Sequence, residues 1–216
     1  AHVFILILII ASIIVIQLVM FLCIGLLLQF SYTSEQLNGY NAWWLSLFLT
    51  VSSHNNAGIT LFPDSLMRFA TDFALFIFIS LLLLVGHILY PAFLRLLLLI
   101  LYRFNTRFKI VFKYLLSNHH HVTLQLYPGL QTRVYVAITI LMQLAALIVI
   151  MIAEYSNQMM QAYNFAQKLL IVSFQTICAR SVGFNTVDLS QLTSVTLLIL
   201  LIMMRIKPQM CCQLSE

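Results

Sequence analysis

Two short polar segments carry the residues with the clearest chemical potential in this 216-residue chain. Their sequences are Ser53-His54-Asn55-Asn56-Ala57-Gly58-Ile59 and Ala179-Arg180-Ser181-Val182-Gly183-Phe184-Asn185. A glycine adopts, without steric cost, the backbone angles that line up several carbonyls on one side of an extended loop. Carbonyl dipoles arranged in this way can replace the hydration shell of a K⁺ ion. The two segments are therefore predicted to coordinate a monovalent cation.

Each polar segment follows an apolar stretch that is too short to cross a membrane. Residues 43–53 and 165–178 are apolar, but a transmembrane helix needs about 20 residues. These lengths are typical of re-entrant half-helices, whose C-terminal partial negative charge favours a cation near the membrane centre. Non-helical backbone at that depth survives only where it is buried in protein or lines a watery cavity.

The composition supports a membrane location for these elements. The chain is 62% hydrophobic and 8% charged, with a mean hydropathy of +1.00. Soluble domains average about 25% charged residues, so the composition argues against a soluble enzyme, a nucleic-acid binder and a disordered chain. Residues 3–30, 73–101 and 134–153 are predicted spans, and residues 190–204 form a shorter fourth candidate. The second span is longer than a bilayer requires, and Pro91 gives it a reason to tilt or kink.

Charge placement predicts one orientation and an internal repeat. Residues 102–133 contain Lys and Arg but no acid and should be cytoplasmic, whereas residues 31–42 and 154–164 contain Glu without Lys or Arg and should lie outside. The order helix, pore half-helix, helix then occurs twice, in residues 1–101 and 134–216. The predicted fold class is an all-α integral membrane protein built from these two units and a basic linker.

The motifs resemble those of the Trk/Ktr/HKT superfamily of potassium transporters. Residues 51–66 (VSSHNNAGITLFPDSL) resemble the second pore loop of that family, which has the form F-N-N-A-G-F, with His54 where Phe is commoner. Residues 173–190 (SFQTICARSVGFNTVDLS) resemble the third loop, S-x-R-T-A-G-F-N-T-V-D-L-S. The resemblance covers the chain as the second and third of four repeats, and residues 90–95 with the basic linker look closest to eukaryotic members.

The resemblance implies transmembrane transport of K⁺, with Na⁺ as a further ion, through a pore that four such loops surround. The implied selectivity-filter residues are Asn56, Ala57, Gly58, Ile59, Ser181, Val182, Gly183 and Phe184. No cofactor and no other metal is implied. The resemblance leaves the choice between K⁺ and Na⁺ open, because in the family it depends largely on the first repeat.

Polar residues beside the filter are predicted to support it. A positive charge on the pore axis would repel the permeant ion, so Arg180 should lie behind the filter and bind loop carbonyls or Asp188. Asn55, Asn56 and Asn185 are predicted to brace the loops through their side-chain amides. Asp64 and Asp188 could draw cations to the mouth or cap the next helix.

Other readings of the chain remain open at this point. A membrane-embedded enzyme would need a set of nucleophile, base or metal ligands, and the sequence contains neither H-E-x-x-H nor G-x-S-x-G. A non-conducting fragment or assembly subunit is the main alternative. The histidines at 119–121 could bind a metal, but a polar patch in the linker is the simpler interpretation. The expected partners are the lipid bilayer and either the missing repeats or a second copy in a homodimer, with no nucleic acid, in a multi-pass protein of the plasma membrane.

Overall fold

The computed structural model of the chain describes residues 2–33, 35–104, 128–155, 157, 161 and 163–205. Over these residues the chain forms α-helices and no strand, which confirms the all-α prediction. The helices are α1 (His2–Ser31), α2 (Ala42–His54), α3 (Phe73–Leu83), α4 (Tyr90–Phe104), α5 (Gly129–Ala153), α6 (Phe165–Ser181) and α7 (Ser194–Arg205). Short 3₁₀ turns lie at Met67–Phe69 and Leu189–Gln191.

Two of the described helices are long and apolar enough to cross a membrane. They are α1, through its 26 residues Leu6–Ser31, and α5, with the 25 residues Gly129–Ala153. Helices α3 and α4 form a third span if the bent pair is counted as one, whereas α7 is shorter. The described residues thus confirm a protein with apolar membrane-spanning helices.

The second predicted span is broken rather than gently kinked. Helix α3 passes into a π-helical turn, Leu84–Ile88, and the helices on either side are bent by 85°. Within this turn the Leu89 N–H donates to the carbonyl of Leu84 at 2.7 Å. The expectation of one span over 73–101 bent by Pro91 is therefore wrong about the position of the bend. Pro91 lies in the first turn of α4, where its missing N–H costs no helical hydrogen bond.

The fourth predicted span also begins later than expected. Residues 190–191 belong to the 3₁₀ turn, and Asp188 caps that turn by accepting a hydrogen bond from the Ser190 N–H at 3.0 Å. Helix α7 begins only at Ser194. A side chain that binds nearby backbone N–H groups favours such a turn over a continuous helix.

In the first half of the chain, α2 descends along α1 and the chain then returns. Trp43 packs on Gly25, and the Ser46 hydroxyl donates to the Phe21 carbonyl at 2.6 Å, so the two helices are antiparallel. The segment after α2 leads back to the same end of α1, where the Tyr32 hydroxyl donates to Asp72, the N-cap residue of α3. Helix α2 and the segment after it therefore make one excursion that starts and finishes at the C-terminal end of α1.

The second half repeats this arrangement. The Gln143 side chain of α5 donates to Thr176 of α6, and Arg180, one turn further along α6, donates to the carbonyl of Thr139. Helix α6 therefore runs antiparallel to α5. At its far end α5 returns to the start of α7, where Glu154 accepts a hydrogen bond from the Thr193 N–H at 2.9 Å.

The two halves of the chain pack against each other through α3 and α6. The rings of Phe76 on α3 and Phe174 on α6 stack with centroids 4.3 Å apart and planes 12° from parallel. Phe174, Cys178 and Phe184 belong to the same buried cluster as the apolar residues of α1, α2 and α3. This shared core holds the two polar segments in a fixed relation.

Candidate cation site

The two polar segments singled out from the sequence meet at their glycines. A Cβ placed on Gly58 would lie 2.9 Å from the Gly183 Cα and would also collide with the Gly183 N. Such a separation leaves room for hydrogen but not for a methyl group. The structure therefore brings together two loops that are far apart in the sequence, in direct backbone contact.

The segment after α2 has a backbone that a glycine favours. Gly58 has φ +69° and Asn56 has φ 55°, both in the left-handed region. An L-residue with a Cβ pays about 1–2 kcal/mol there, and glycine and asparagine are the usual occupants. The sequence types at 56 and 58 thus match the conformation that turns the chain at the end of α2.

Ser52 fixes the extended part of this segment. Its hydroxyl donates to the Ile59 carbonyl at 2.7 Å and accepts from the Ile59 N–H at 3.0 Å. The Ala57 N–H also donates to the Ser52 carbonyl at 2.9 Å. Sequence reasoning did not single out Ser52, although a buried hydroxyl one turn before a glycine loop is a recognisable candidate for such a role.

The segment after α6 differs from the first. Ser181 was predicted to lie in the loop, but it is the last residue of α6. Its hydroxyl donates to the Ile177 carbonyl at 3.2 Å. The extended backbone begins at Val182, with φ −149° and ψ 158°. Gly183 is exposed, its φ is not positive, and a Cβ there would meet nothing within 4 Å. Of the two glycines, only Gly58 has a backbone conformation that would be strained for a residue with a Cβ.

Hydrogen bonds also connect the two segments beyond their glycines. The Leu66 N–H donates to the Asn185 carbonyl at 3.0 Å, and the Asn185 N–H donates to the Ser65 hydroxyl at 3.1 Å. Gln175 of α6 accepts from the Thr186 N–H at 3.2 Å. Asn185 therefore supports the pair of loops, chiefly through its backbone. Gln175 and Ser65 were missed, though a glutamine inside an apolar half-helix is itself a signal.

The backbone carbonyls at the meeting point have no hydrogen-bond donors of their own. Over the residues that the structure describes, no hydrogen bond is accepted by the carbonyls of 56–58 or 182–184. Most of the residues that carry these carbonyls are exposed or half-buried, so the oxygens are open to a partner from outside the described part of the chain. A set of unpaired carbonyls in two adjoining loops is an arrangement that a desolvated cation could satisfy.

Arg180 lies behind the loop, on the side of α5 and α7. Its guanidinium donates to the Thr139 carbonyl at 3.5 Å and lies 3.7 Å from the Met203 sulfur, while its Nε is buried without a partner. Contrary to the expectation from the sequence, Arg180 neither donates to loop carbonyls nor pairs with Asp188 within the described part of the chain. Arg180 points instead to two neighbouring helices, because the last turn of α6 carries it away from the loop.

The two acidic residues after the loops are engaged locally. The Arg68 guanidinium forms a salt bridge with Asp64 at 2.8 Å, and its hydrogen bonds hold the pKa of Asp64 below the ordinary value. Asp188 accepts from the Ser190 hydroxyl at 2.8 Å, and this hydrogen bond lowers the pKa of Asp188. Both carboxylates are therefore ionised at neutral pH. Asp188 has the capping role, which is one of the two roles expected for it.

The asparagines of the first segment bind mainly their own helix. Asn55 is the C-cap of α2, and its amide donates to the Val51 carbonyl at 2.9 Å. The Asn56 amide donates to the His54 carbonyl at 3.5 Å, while its oxygen is buried without a partner. His54 is buried as well, and a Cβ at Gly86 would collide with its carbonyl oxygen. Gly86 thus allows the broken span to pack on the end of α2.

The first loop lies open on one side of the described chain. Ile59 is 60% exposed, and Ala57 and Asn55 are exposed too. A groove of about 350 Å³ runs beside them; it is lined by Trp44, Leu47, Phe48, Val51, Ser52, Asn55, Ala57 and Ile59. An apolar groove next to unpaired carbonyls is the surface that a further part of a ring would cover.

The described residues contain no group of three His, Cys, Asp or Glu side chains that could hold a metal ion. The histidines at 119–121 lie outside the described residues, as does most of the predicted linker at 102–133. The possible metal site there therefore stays untested. The predicted ion contacts of all eight filter residues likewise stay predictions.

Comparison with known proteins identifies relatives over nearly the whole chain. The model of a family of cation transport proteins, TrkH, matches residues 1–208. A Dictyostelium discoideum protein named as a potassium transport protein is 33% identical over 87% of this chain, which spans 29% of that relative. The potassium transporter TRK1 of Candida albicans is 29% identical over 76% of the chain and 16% of its own length. The Ktr system potassium uptake protein B of Bacillus subtilis is 27% identical over 74% of the chain and 31% of its own length. The chain thus spans less than a third of each of these relatives.

Proposed function

The chain belongs to the TrkH family of cation transport proteins, and we propose that its two loops form part of a pore for monovalent cations. The transported ion is mainly K⁺, with Na⁺ as a second ion. This family transports ions rather than catalysing a reaction, in keeping with the absence of an enzymatic motif in the sequence. The relatives named above as potassium transporters support the choice of K⁺.

The observation that carries the proposal is the meeting of two loops at residues whose carbonyls accept no hydrogen bond from any described part of the chain. Residues 56–58 and 182–184 adjoin through Gly58 and Gly183. Replacing water around K⁺ takes several neutral oxygens at once, and backbone carbonyls in two adjoining loops supply such oxygens. The Arg180 guanidinium is directed to Thr139 and Met203 and not to the loop carbonyls, so its positive charge is turned away from a cation bound there.

Two loops surround only part of an ion, so the pore needs further loops. We expect these to come from additional repeats of a longer polypeptide or from a second copy of the chain. The groove beside Ile59 and Ala57 is the surface on which they would pack. A chain that assembles with such partners but does not conduct is the alternative to a conducting one.

The proposed location is the plasma membrane, with residues 102–133 in the cytoplasm. The basis for this orientation is charge, because residues 73–153 contain six Lys and Arg and no acid. Short loops rich in Lys and Arg remain on the cytoplasmic side of a membrane. The two loops would then enter from the outer side, near Asp64 and Asp188.

Substitution of Gly58 tests the function. Gly58→Ala places a methyl group against Gly183 in a left-handed backbone, so K⁺ uptake by the full reading frame in a transport-deficient cell should fall by about tenfold or more. Gly39→Ala is the matched control, because Gly39 also has a positive φ, +75°, but a Cβ there meets nothing within 4 Å. It should leave uptake within about twofold of the wild type. Equal uptake by both variants, with equal amounts in the membrane, would remove the support for a pore at Gly58.

A further inference from the structure

A second cavity lies away from the loops, between α4 and α5. It has a volume of about 670 Å³. Two arginines, Arg95 of α4 and Arg133 of α5, line it together with the apolar residues Leu96, Leu99, Val136 and Ile140. None of the proposed filter residues borders it. The cavity is therefore separate from the proposed cation site.

The polar part of the cavity concentrates positive charge. Arg95 and Arg133 lie close enough to interact electrostatically. A Cβ on Gly129 would lie 2.9 Å from an Arg95 Nη, so the absence of a side chain lets this guanidinium reach the first turn of α5. That turn begins without a side-chain cap, and the N-terminal end of a helix adds partial positive charge. No residue from 73 to 153 is acidic, so neither α4 nor α5 carries a negatively charged side chain into the cavity.

The apolar part of the cavity faces outward along α4 and α5, the second of which is long and apolar enough to cross a membrane. Leu96 is 55% exposed and Ile140 is 51% exposed. Ile140 lies two turns after Arg133 on α5, which is about 10 Å along the helix axis. An amphipathic molecule with an anionic head and an apolar tail fits this sequence of surfaces.

We propose that this cavity binds an anionic phospholipid. The phosphate lies against Arg95 and Arg133, since guanidinium groups bind phosphate through paired, charge-assisted hydrogen bonds. An acyl chain lies along Leu96 and Ile140. Basic pockets between transmembrane helices on the cytoplasmic side are known to bind phospholipid headgroups, and the proposed orientation puts the start of α5 on that side. The site is independent of ion conduction.

Native mass spectrometry of the 216-residue chain in detergent tests the headgroup contact. The probe is palmitoyl-oleoyl phosphatidylglycerol, with phosphatidylcholine of the same chains for comparison. The double variant Arg95→Gln, Arg133→Gln should bind phosphatidylglycerol about tenfold more weakly, and its binding of phosphatidylcholine should change little. Arg103→Gln is the control, because Arg103 is an exposed cation of α4 outside the cavity. It should bind within about twofold of the wild type. Equal losses in the double variant and in Arg103→Gln would overturn the proposal.

A second pair of variants tests the acyl contact with both arginines intact. Ala137→Phe fills the cavity that Ala137 lines, whereas Leu141→Phe adds the same ring on an exposed position of α5 outside it. Only the first should weaken phosphatidylglycerol binding, by about fivefold or more. Millimolar inorganic phosphate should not displace the bound lipid. Displacement by phosphate, or equal binding by these two variants, would assign the site to a free anion and contradict a lipid. Variants that elute with the wild type in size-exclusion chromatography are the ones compared.

Discussion

Ser52 and Gly58 act together on the loop after α2. The Ser52 hydroxyl both donates to and accepts from the backbone of Ile59, and Gly58 turns the chain between them through φ +69°. Neither contact depends on the second half of the chain. The first loop is therefore shaped by its own half, and Gly183 then packs against a backbone that is already in place.

Replacing Ser52 by Ala should loosen the first loop. Both hydrogen bonds to the Ile59 backbone are lost, at a total cost of about 1–2 kcal/mol. We expect K⁺ uptake to fall and the preference for K⁺ over Na⁺ to decrease by about threefold to tenfold. The measurement is ⁸⁶Rb⁺ uptake with K⁺ or Na⁺ as competitor, in cells that express the full reading frame.

Ser53→Ala is the matched control for this variant. The Ser53 hydroxyl donates to the Leu49 carbonyl of its own helix and does not reach the loop. Its removal should leave ion preference unchanged even where the amount of protein falls. A change of preference in Ser53→Ala as large as that in Ser52→Ala would mean that the helix, and not the clamp on Ile59, sets selectivity.

The residue types at the loops could be predicted from the sequence, but their separate roles could not. Glycines at 58 and 183 mark both loops, yet only Gly58 has a positive φ. The φ of a glycine depends on where the helix before it ends, and α6 continues to Ser181 whereas α2 ends at His54. Arg180 was expected behind the filter, bound to loop carbonyls or to Asp188, but α6 continues to Ser181 and directs its guanidinium to Thr139.

Glu154 joins the end of α5 to the start of α7. Its carboxylate accepts from the Thr193 N–H and hydroxyl, at 2.9 and 2.7 Å, and from the Thr196 hydroxyl. Thr193 is the N-cap of α7, because its hydroxyl accepts from the Thr196 N–H at 3.4 Å. Glu154 holds this cap residue in place, beside the favourable dipole of α7. Burial raises the pKa of Glu154, but hydrogen bonds from Thr196, Thr193 and Asn157 outweigh it, and the pKa lies below 4.5.

Glu154→Gln should destabilise the second half by about 1–2 kcal/mol at neutral pH. Because the folded-state pKa is lowered, the carboxylate contributes fully above its ordinary value of 4.5. Its contribution is lost as the pH falls below 4.5 through the lower folded-state pKa. Thermal unfolding of the chain in detergent, followed by size-exclusion chromatography, should show a gap between wild type and variant at pH 7 that closes in acid.

Glu35→Gln provides the comparison for the pH dependence. Glu35 is an exposed acid in the segment after α1. Its replacement should leave the unfolding temperature close to that of the wild type across the same pH range. A constant gap between wild type and Glu154→Gln down to pH 3 would contradict the account of Glu154 as the charged partner of Thr193, the N-cap of α7.

At the scale of elements, the helical character of each apolar run followed from the sequence, whereas the break that divides one run into α3 and α4 did not. Residues 73–101 form a mainly apolar run, and although Gly86 and His87 fall within the π-helical turn at Leu84–Ile88, these two residue types alone do not specify a break. The turn forms where Gly86 meets the carbonyl of His54 and where the Tyr135 hydroxyl donates to the carbonyl of Ile88. Both partners are distant in sequence, so the break is a property of the assembled bundle.

At the scale of the whole molecule, the chain presents two loops and an open groove beside one of them. Two loops cover about half of an ion's surroundings, and unpaired carbonyls left against lipid cost several kcal/mol each. The purified 216-residue chain in liposomes, at dilutions that keep it monomeric, should therefore show no ⁸⁶Rb⁺ flux. Selective flux from a verified monomer would contradict the need for further loops.

The central claim is that K⁺ occupies the place where the two loops meet, and chemical protection measures this most directly. Ala57→Cys puts an exposed thiol in the first loop, whereas Gly39→Cys puts one in the segment before α2. The full reading frame, expressed in transport-deficient cells, is treated with a cationic methanethiosulfonate reagent in K⁺ or in choline. We predict that K⁺ slows the loss of ⁸⁶Rb⁺ uptake by Ala57→Cys about fivefold or more and does not change labelling of Gly39→Cys. Equal modification of Ala57→Cys with and without K⁺ would contradict the claim.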